Sequence, residues 1–129
     1  MSQTEKQQAY QKQYRETHRE ALKLWRQSRK SRIITLSRKS KLAKLYGITE
    51  SQYAKMFDTQ QGLCAICHRP ETVFDNRSGR TRPLAVDHDH ATGKIRGLLC
   101  SRCNHLLGNA QDNSDRLLAA ACYLEHHVK

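Results

Sequence analysis

Acidic side chains are scarce in this chain of 129 residues: 12 Asp and Glu stand against 23 Lys and Arg, for a net charge of +11. Aromatic residues make up only 6% of the sequence and hydrophobic residues 37%, so the interior is modest and the surface strongly cationic. No apolar run is longer than residues 117–124, far short of the roughly 20 residues that cross a bilayer. Residues 1–13 are polar and lack the apolar centre of a signal peptide, which predicts a cytoplasmic protein with no membrane partner. The length suits one domain, or one small domain plus an arm, and excludes a two-domain catalytic machine.

The positive charge is unevenly placed. Residues 1–46 hold 13 Lys and Arg and only three acids, Glu5, Glu16 and Glu20, whereas residues 47–129 hold 10 and 9. Within the first segment Tyr10, Tyr14, His18, Ala21 and Trp25 recur at spacings of three and four with no Pro or Gly between them, which predicts one stripe of a long helix. A second short helical stretch over 40–46 stops at Gly47. Residues 25–44 carry eight Lys and Arg that are not matched by acids at helical spacing, so contact with nucleic-acid phosphates is favoured over a merely solvated face. Thr49 and Gln52 fit a capping box flanked by Ile48 and Tyr53, predicting a helix over Glu50–Thr59 that ends near Gly62. Gly47 then separates a basic helical arm, residues 1–46, from a body, residues 47–129.

Five cysteines in a reducing compartment favour metal binding over a disulfide framework. Cys64 with Cys67, and Cys100 with Cys103, form two C-x-x-C knuckles 32 residues apart. Two such turns supply the four thiolates of a tetrahedral, closed and therefore structural Zn2+ site, and a small body with a marginal core commonly uses such a staple. Cys64 to His68 also matches a haem-attachment pattern, which requires export, and a thioredoxin-type pair would need a βαβ context that is absent. Cys122 lies in the apolar run of a C-terminal helix and is expected to be a small buried hydrophobe.

Between the knuckles, residues 84–86 are short and apolar, Ala91, Thr92 and Gly93 offer a turn, and residues 94–98 return, which predicts a β-hairpin. A short helix over 98–107 completes a ββα unit whose start and end are tied by zinc. Asp87, His88, Asp89 and His90 form the densest cluster of titratable, metal-capable side chains in the chain, and Asn104 follows the fourth cysteine. The plainer readings are a polar hairpin end or a second zinc site. If hairpin and helix pack together, an Asp and Asn oxygen set suits Mg2+ or Mn2+, and a neighbouring imidazole is able to take a proton from water near neutral pH.

The ordered series of C-x-x-C, Asp87-His88-Asp89-His90, Gly93-Lys94-Ile95-Arg96-Gly97-Leu98-Leu99-Cys100 and Cys103-Asn104 resembles the phage recombination endonuclease VII family, among the HNH, ββα-metal or His-Me finger nucleases. The resemblance covers roughly residues 47–112. It implies that Asp87 and Asn104 ligate a catalytic Mg2+ or Mn2+, that His88 is the general base and that His90 contacts the scissile phosphate. The fold expected is α+β and mostly helical: a zinc-stapled ββα-metal nuclease core with a C-terminal helix, preceded by the basic helical arm. The activity expected is a metal-dependent DNA endonuclease leaving 5'-phosphate and 3'-hydroxyl ends, acting on branched, Holliday-junction-like DNA or nicking double-stranded DNA. Cutting both strands of a junction needs two active sites, hence a homodimer. The alternative is a non-catalytic zinc-stapled DNA-binding module, which would have no use for Asp87, His88 and Asn104 together.

Overall fold

The computed structural model describes residues 2–128, and the chain divides into two compact units, residues 1–41 and 42–129. The first consists of helices α1, Gln3–Thr17, and α2, Arg19–Lys41. Ser2 and Glu5 close a reciprocal capping box at the start of α1. The single long helix expected here is broken at His18, whose backbone sits at φ −107° and ψ 15°. Neither Pro nor Gly causes the break. Thr17 Oγ1 and His18 Nδ1 both turn back to the Tyr14 carbonyl, at 3.1 and 3.0 Å, the local side-chain competition that weakens helical continuity. Only the first part of the expected stripe is in ring contact, Tyr10 with Tyr14 at 6.4 Å and Tyr14 stacked on His18 at 4.1 Å, and neither helix buries a residue. Trp25 instead lies exposed beside the Arg29 guanidinium, 5.4 Å from the ring centre.

The second unit opens with a π-helical turn over Leu42–Tyr46, followed by α3, Glu50–Thr59. Both arms of the Thr49–Gln52 capping box are made, at 2.8 and 3.2 Å, as the local sequence predicts. Helix α3 ends where Gly62 takes φ +72°; a Cβ there would lie 3.0 Å from the Phe57 ring, so only glycine fits. Four short strands follow: β1, Phe74–Asp75, and β2, Arg80–Thr81, form a small antiparallel pair that periodicity does not reveal. The expected hairpin is β3, Ala85–His88, paired antiparallel with β4, Ile95–Leu99. Helix α4 spans Ser101–Asn109 and α5 spans Ser114–His127. The chain as a whole is α+β and mostly helical, and in this unit α4 packs on both β3 and β4, completing the ββα arrangement.

Two local expectations need correction. Leu98 and Leu99 are not the first residues of α4; they continue β4 opposite Val86 and Ala85, because the ladder satisfies their backbone groups before the chain turns at Cys100, the N-cap of α4. Cys122 is exposed rather than buried. Helix α5 buries no residue, and Leu118, Tyr123 and Leu124 on it are exposed as well.

The core of this unit is small. Its buried residues are Leu42, Ile48, Tyr53, Cys64, Leu84, Val86, Leu98, Leu99, Cys100 and Cys103. Polar groups tie the pieces to the hairpin: Tyr53 Oη donates to the Leu84 carbonyl at 2.7 Å. The Gln60 amide receives the Leu98 N–H at 2.8 Å and donates to the Leu98 carbonyl at 2.9 Å. Gln60 thus acts as one more strand partner for β4.

Candidate functional site

The two knuckles meet. All four Sγ atoms of Cys64, Cys67, Cys100 and Cys103 lie within 4.8 Å of one another, and Cys67 and Cys100 are 3.8 Å apart. A tetrahedron with Zn–S bonds near 2.3 Å has edges of about 3.8 Å, so the donor set fits Zn2+. Among the described residues this is the only grouping of three or more His, Cys, Asp or Glu side chains that could hold an ion. The first knuckle is held by its backbone: Cys64 N–H donates to the Arg69 carbonyl, His68 N–H to that of Cys64, and Ala65 N–H to that of Leu98. Burial acts upward on the Cys64 thiol, but backbone N–H groups of Cys67, Cys100 and Ile66 outweigh it and leave the pKa at about 6. Burial pushes the Cys100 and Cys103 thiols up.

Glu71 fastens the knuckles together. Its Oε2 accepts from Ser101 N–H and Oγ, both at 2.6 Å, while Oε1 accepts from Thr72 and Val73 N–H, both at 2.9 Å. Burial opposes its charge, yet the bonds from Ser101, Val73 and Thr72 hold the carboxyl below its ordinary range.

The Asp87-His88-Asp89-His90 cluster separates into distinct environments. The ladder slips between Asp87, opposite Gly97, and His88, opposite Ile95, leaving Arg96 as the extra residue of a bulge. Asp87 is 8% exposed, and its Oδ2 and Oδ1 accept from Arg96 Nε and Nη2 at 2.7 and 2.9 Å, a bidentate pair. That contact, foremost, raises the guanidinium further above its already high pKa. His88 is half-buried, edge-on to the Tyr46 ring at 5.3 Å and 4.8 Å from the His90 ring. No hydrogen bond engages its ring nitrogens among the described residues. Asp89 belongs to the turn: Oδ1 accepts from Ala91 and Thr92 N–H at 2.9 and 2.8 Å, and these bonds hold its carboxyl low. His90 is exposed, with Nδ1 2.7 Å from Asp112 Oδ2.

Asn104 lies in the first turn of α4, half-buried, its backbone N–H bonded to the Cys100 carbonyl and its side-chain amide unengaged among the described residues. A carboxylate oxygen has two lone pairs, so the Arg96 clamp leaves Asp87 acceptor capacity. Asp87 and Asn104 offer oxygen donors of the type a hard divalent cation takes, on a strand and a helix that pack together.

Sequence reasoning assigned no role to three residues of this region. Arg96 is the one charged residue inside strand β4, a signal that pattern analysis passes over. Tyr46 and Asp112 reach the cluster from segments distant in sequence, with nothing local to mark them.

Comparison with known proteins matches residues 39–126 to the family described as recombination endonuclease VII. The chain is 44% identical over 80 residues to the Gene 59 protein of Mycobacterium phage D29, and 42% identical over 80 residues to the Gene 59 protein of Mycobacterium phage L5. Each alignment covers 61% of this chain and 44% of the relative, so the chain matches less than half the length of these proteins. No solved structure matches. With four cysteines gathered across a β-hairpin and helix, and a family match over most of its length, the chain belongs to the recombination endonuclease VII family.

Proposed function

We propose that this chain is a metal-dependent DNA endonuclease of HNH, ββα-metal type. The observation that carries the reading is that β3 holds the buried Asp87 and, next in sequence, a His88 imidazole with no hydrogen-bond partner among the described residues, while the helix packed on that strand carries Asn104, whose amide is likewise unengaged among them. In this reading His88 accepts a proton from water as its oxygen attacks phosphorus; the bond to the 3'-oxygen breaks, and that oxygen is protonated from solvent. The products are 5'-phosphate and 3'-hydroxyl ends. His90, exposed on the same face, contacts the scissile phosphate. Asp87 and Asn104 would hold Mg2+ or Mn2+, which supplies positive charge against that developing on the phosphate and the leaving oxygen. Cys64, Cys67, Cys100 and Cys103 hold a structural Zn2+.

The helices of residues 2–41, rich in Lys and Arg and without a buried residue, suit contact with the DNA backbone. Branched DNA is the substrate favoured by the family, and a homodimer would bring two active sites to it, with the exposed Leu118, Tyr123 and Leu124 of α5 as apolar contact surface. The phage relatives suggest that the protein works in the cytoplasm of a host cell. Incubating labelled four-way junctions and matched linear duplexes with the protein in Mg2+, Mn2+ or EDTA tests the reading. Metal-dependent cutting with preference for the junction is expected. Binding without cleavage in either metal would return the non-catalytic DNA-binding module.

A further inference from the structure

Asp112 lies in none of the motifs above, yet it joins the two sides of the cluster. Its Oδ2 is 2.7 Å from His90 Nδ1 and its Oδ1 accepts from Arg96 Nη2 at 3.3 Å, while Arg96 in turn grips Asp87. A continuous chain of charge-assisted contacts thus runs from His90 through Asp112 and Arg96 to Asp87. The turn that closes α4 carries this carboxylate: Gln111 and Asp112 adopt left-handed backbone, at φ 56° and 53°, and their N–H groups donate to the Gly108 and Leu107 carbonyls, both at 3.0 Å. This hydrogen-bonded capping turn fixes the backbone from which Asp112 reaches His90 and Arg96.

We propose that Asp112 is a positioning residue of the phosphodiester-cleaving centre, holding His90 with its hydrogen on Nδ1 so that Nε2 is the nitrogen presented to DNA, and steadying Arg96 on Asp87. The inference rests on the endonuclease reading for its functional consequence, not for its chemistry. Hydrogen bonds from His90 and, against a smaller effect of burial, from Arg96 keep the Asp112 carboxyl below its ordinary range. An ionised carboxylate only accepts, so the hydrogen between Asp112 and His90 belongs to Nδ1. The side chain is 69% exposed, and its Nε2 has no hydrogen-bond partner among the described residues. This is the role a carboxylate plays behind any imidazole that must meet its substrate with a defined nitrogen.

Asp112→Asn is the informative substitution, because Asn tolerates left-handed backbone and keeps the shape of the side chain. An amide has one acceptor oxygen, which the charged Arg96 will claim. The NH2 group then faces His90 Nδ1 and donates to it, forcing the hydrogen to Nε2. Nitrogen-15 NMR of neutral His90 should report hydrogen on Nδ1 in the wild-type protein and on Nε2 in Asp112→Asn. In Mg2+, kcat on the junction substrate should fall by about 10-fold to 100-fold, the usual worth of a partner that orients a functional imidazole. Asp112→Asn combined with His90→Ala should lose no more than His90→Ala alone. An unchanged tautomer in Asp112→Asn, or losses that multiply in the double variant, would overturn the assignment. A wild-type protein with the Nδ1 tautomer that cuts no DNA in either metal would uphold the Asp112–His90 pairing and overturn the endonuclease reading.

Discussion

Stripping zinc from the four-cysteine site should unfold the unit from Leu42 onward. Three of the ten buried core residues are Cys64, Cys100 and Cys103, so the metal site and the hydrophobic core are largely one object. Ala65 N–H reaches the Leu98 carbonyl, and Ser101 is held by Glu71, so release of the knuckles also loosens the end of β4 and the start of α4. A structural zinc contributes on the order of 10 kcal/mol or more of binding free energy that appears as folding free energy. Small domains have about 5–15 kcal/mol in total, so a zinc ion bound by these cysteines would supply most of the margin or all of it. Hydrogen–deuterium exchange read by mass spectrometry after chelation is the suitable assay, since peptides of the two units are scored separately. Amides of Leu98 and Leu99 should lose protection on chelation and regain it when Zn2+ is restored, and Cys64→Ser should reproduce the loss. Full protection of those amides in protein shown by elemental analysis to hold no zinc would refute the reasoning.

Other outcomes follow from the same geometry. Replacing Asp87 by Asn, or Asn104 by Ala, should raise the Mg2+ or Mn2+ concentration needed for half-maximal cleavage without moving zinc content; an unshifted metal titration would remove these residues as ligands. Neutralising Arg26, Arg29 and Lys30 to Gln should weaken DNA binding and flatten its dependence on log salt by about 0.9 for each phosphate that is no longer neutralised, whereas an unchanged slope would mean that these side chains do not touch DNA. Glu71 has a folded pKa below its ordinary value of 4.5, so its bonds stabilise the native state above that pH and the contribution fades as pH falls through the lowered value. Chemical denaturation should therefore find Glu71→Gln less stable than wild type at pH 7, with the gap closing below about pH 4.5.

Features written in adjacent residues were legible from the sequence. The Thr49–Gln52 capping box and the hairpin closed by Ala91, Thr92 and Gly93 depend on local hydrogen bonds and backbone preference, and both formed. The cysteine spacing was equally direct, because a metal tetrahedron demands two paired turns. The start of α4 was misplaced because Leu98 and Leu99 suit helix and strand alike, and only pairing with Val86 and Ala85 decides between them. Cys122 was expected inside because its neighbours are apolar, yet apolar neighbours do not supply a packing partner. The register slip at Arg96, and the reach of its guanidinium to two carboxylates 9 and 16 residues away, are tertiary features that no window of sequence displays.

The most direct test of metal-dependent hydrolysis at this centre is conversion of supercoiled plasmid to nicked or linear DNA in Mg2+ by the wild-type protein and by His88→Ala, both confirmed to contain zinc and to be folded. His88 should be worth roughly 100-fold to 10,000-fold in rate, as a positioned general base is, with DNA binding near wild type and EDTA abolishing the wild-type activity. Cleavage by His88→Ala at the wild-type rate, or cleavage by the wild-type protein that persists in EDTA, would contradict the assignment.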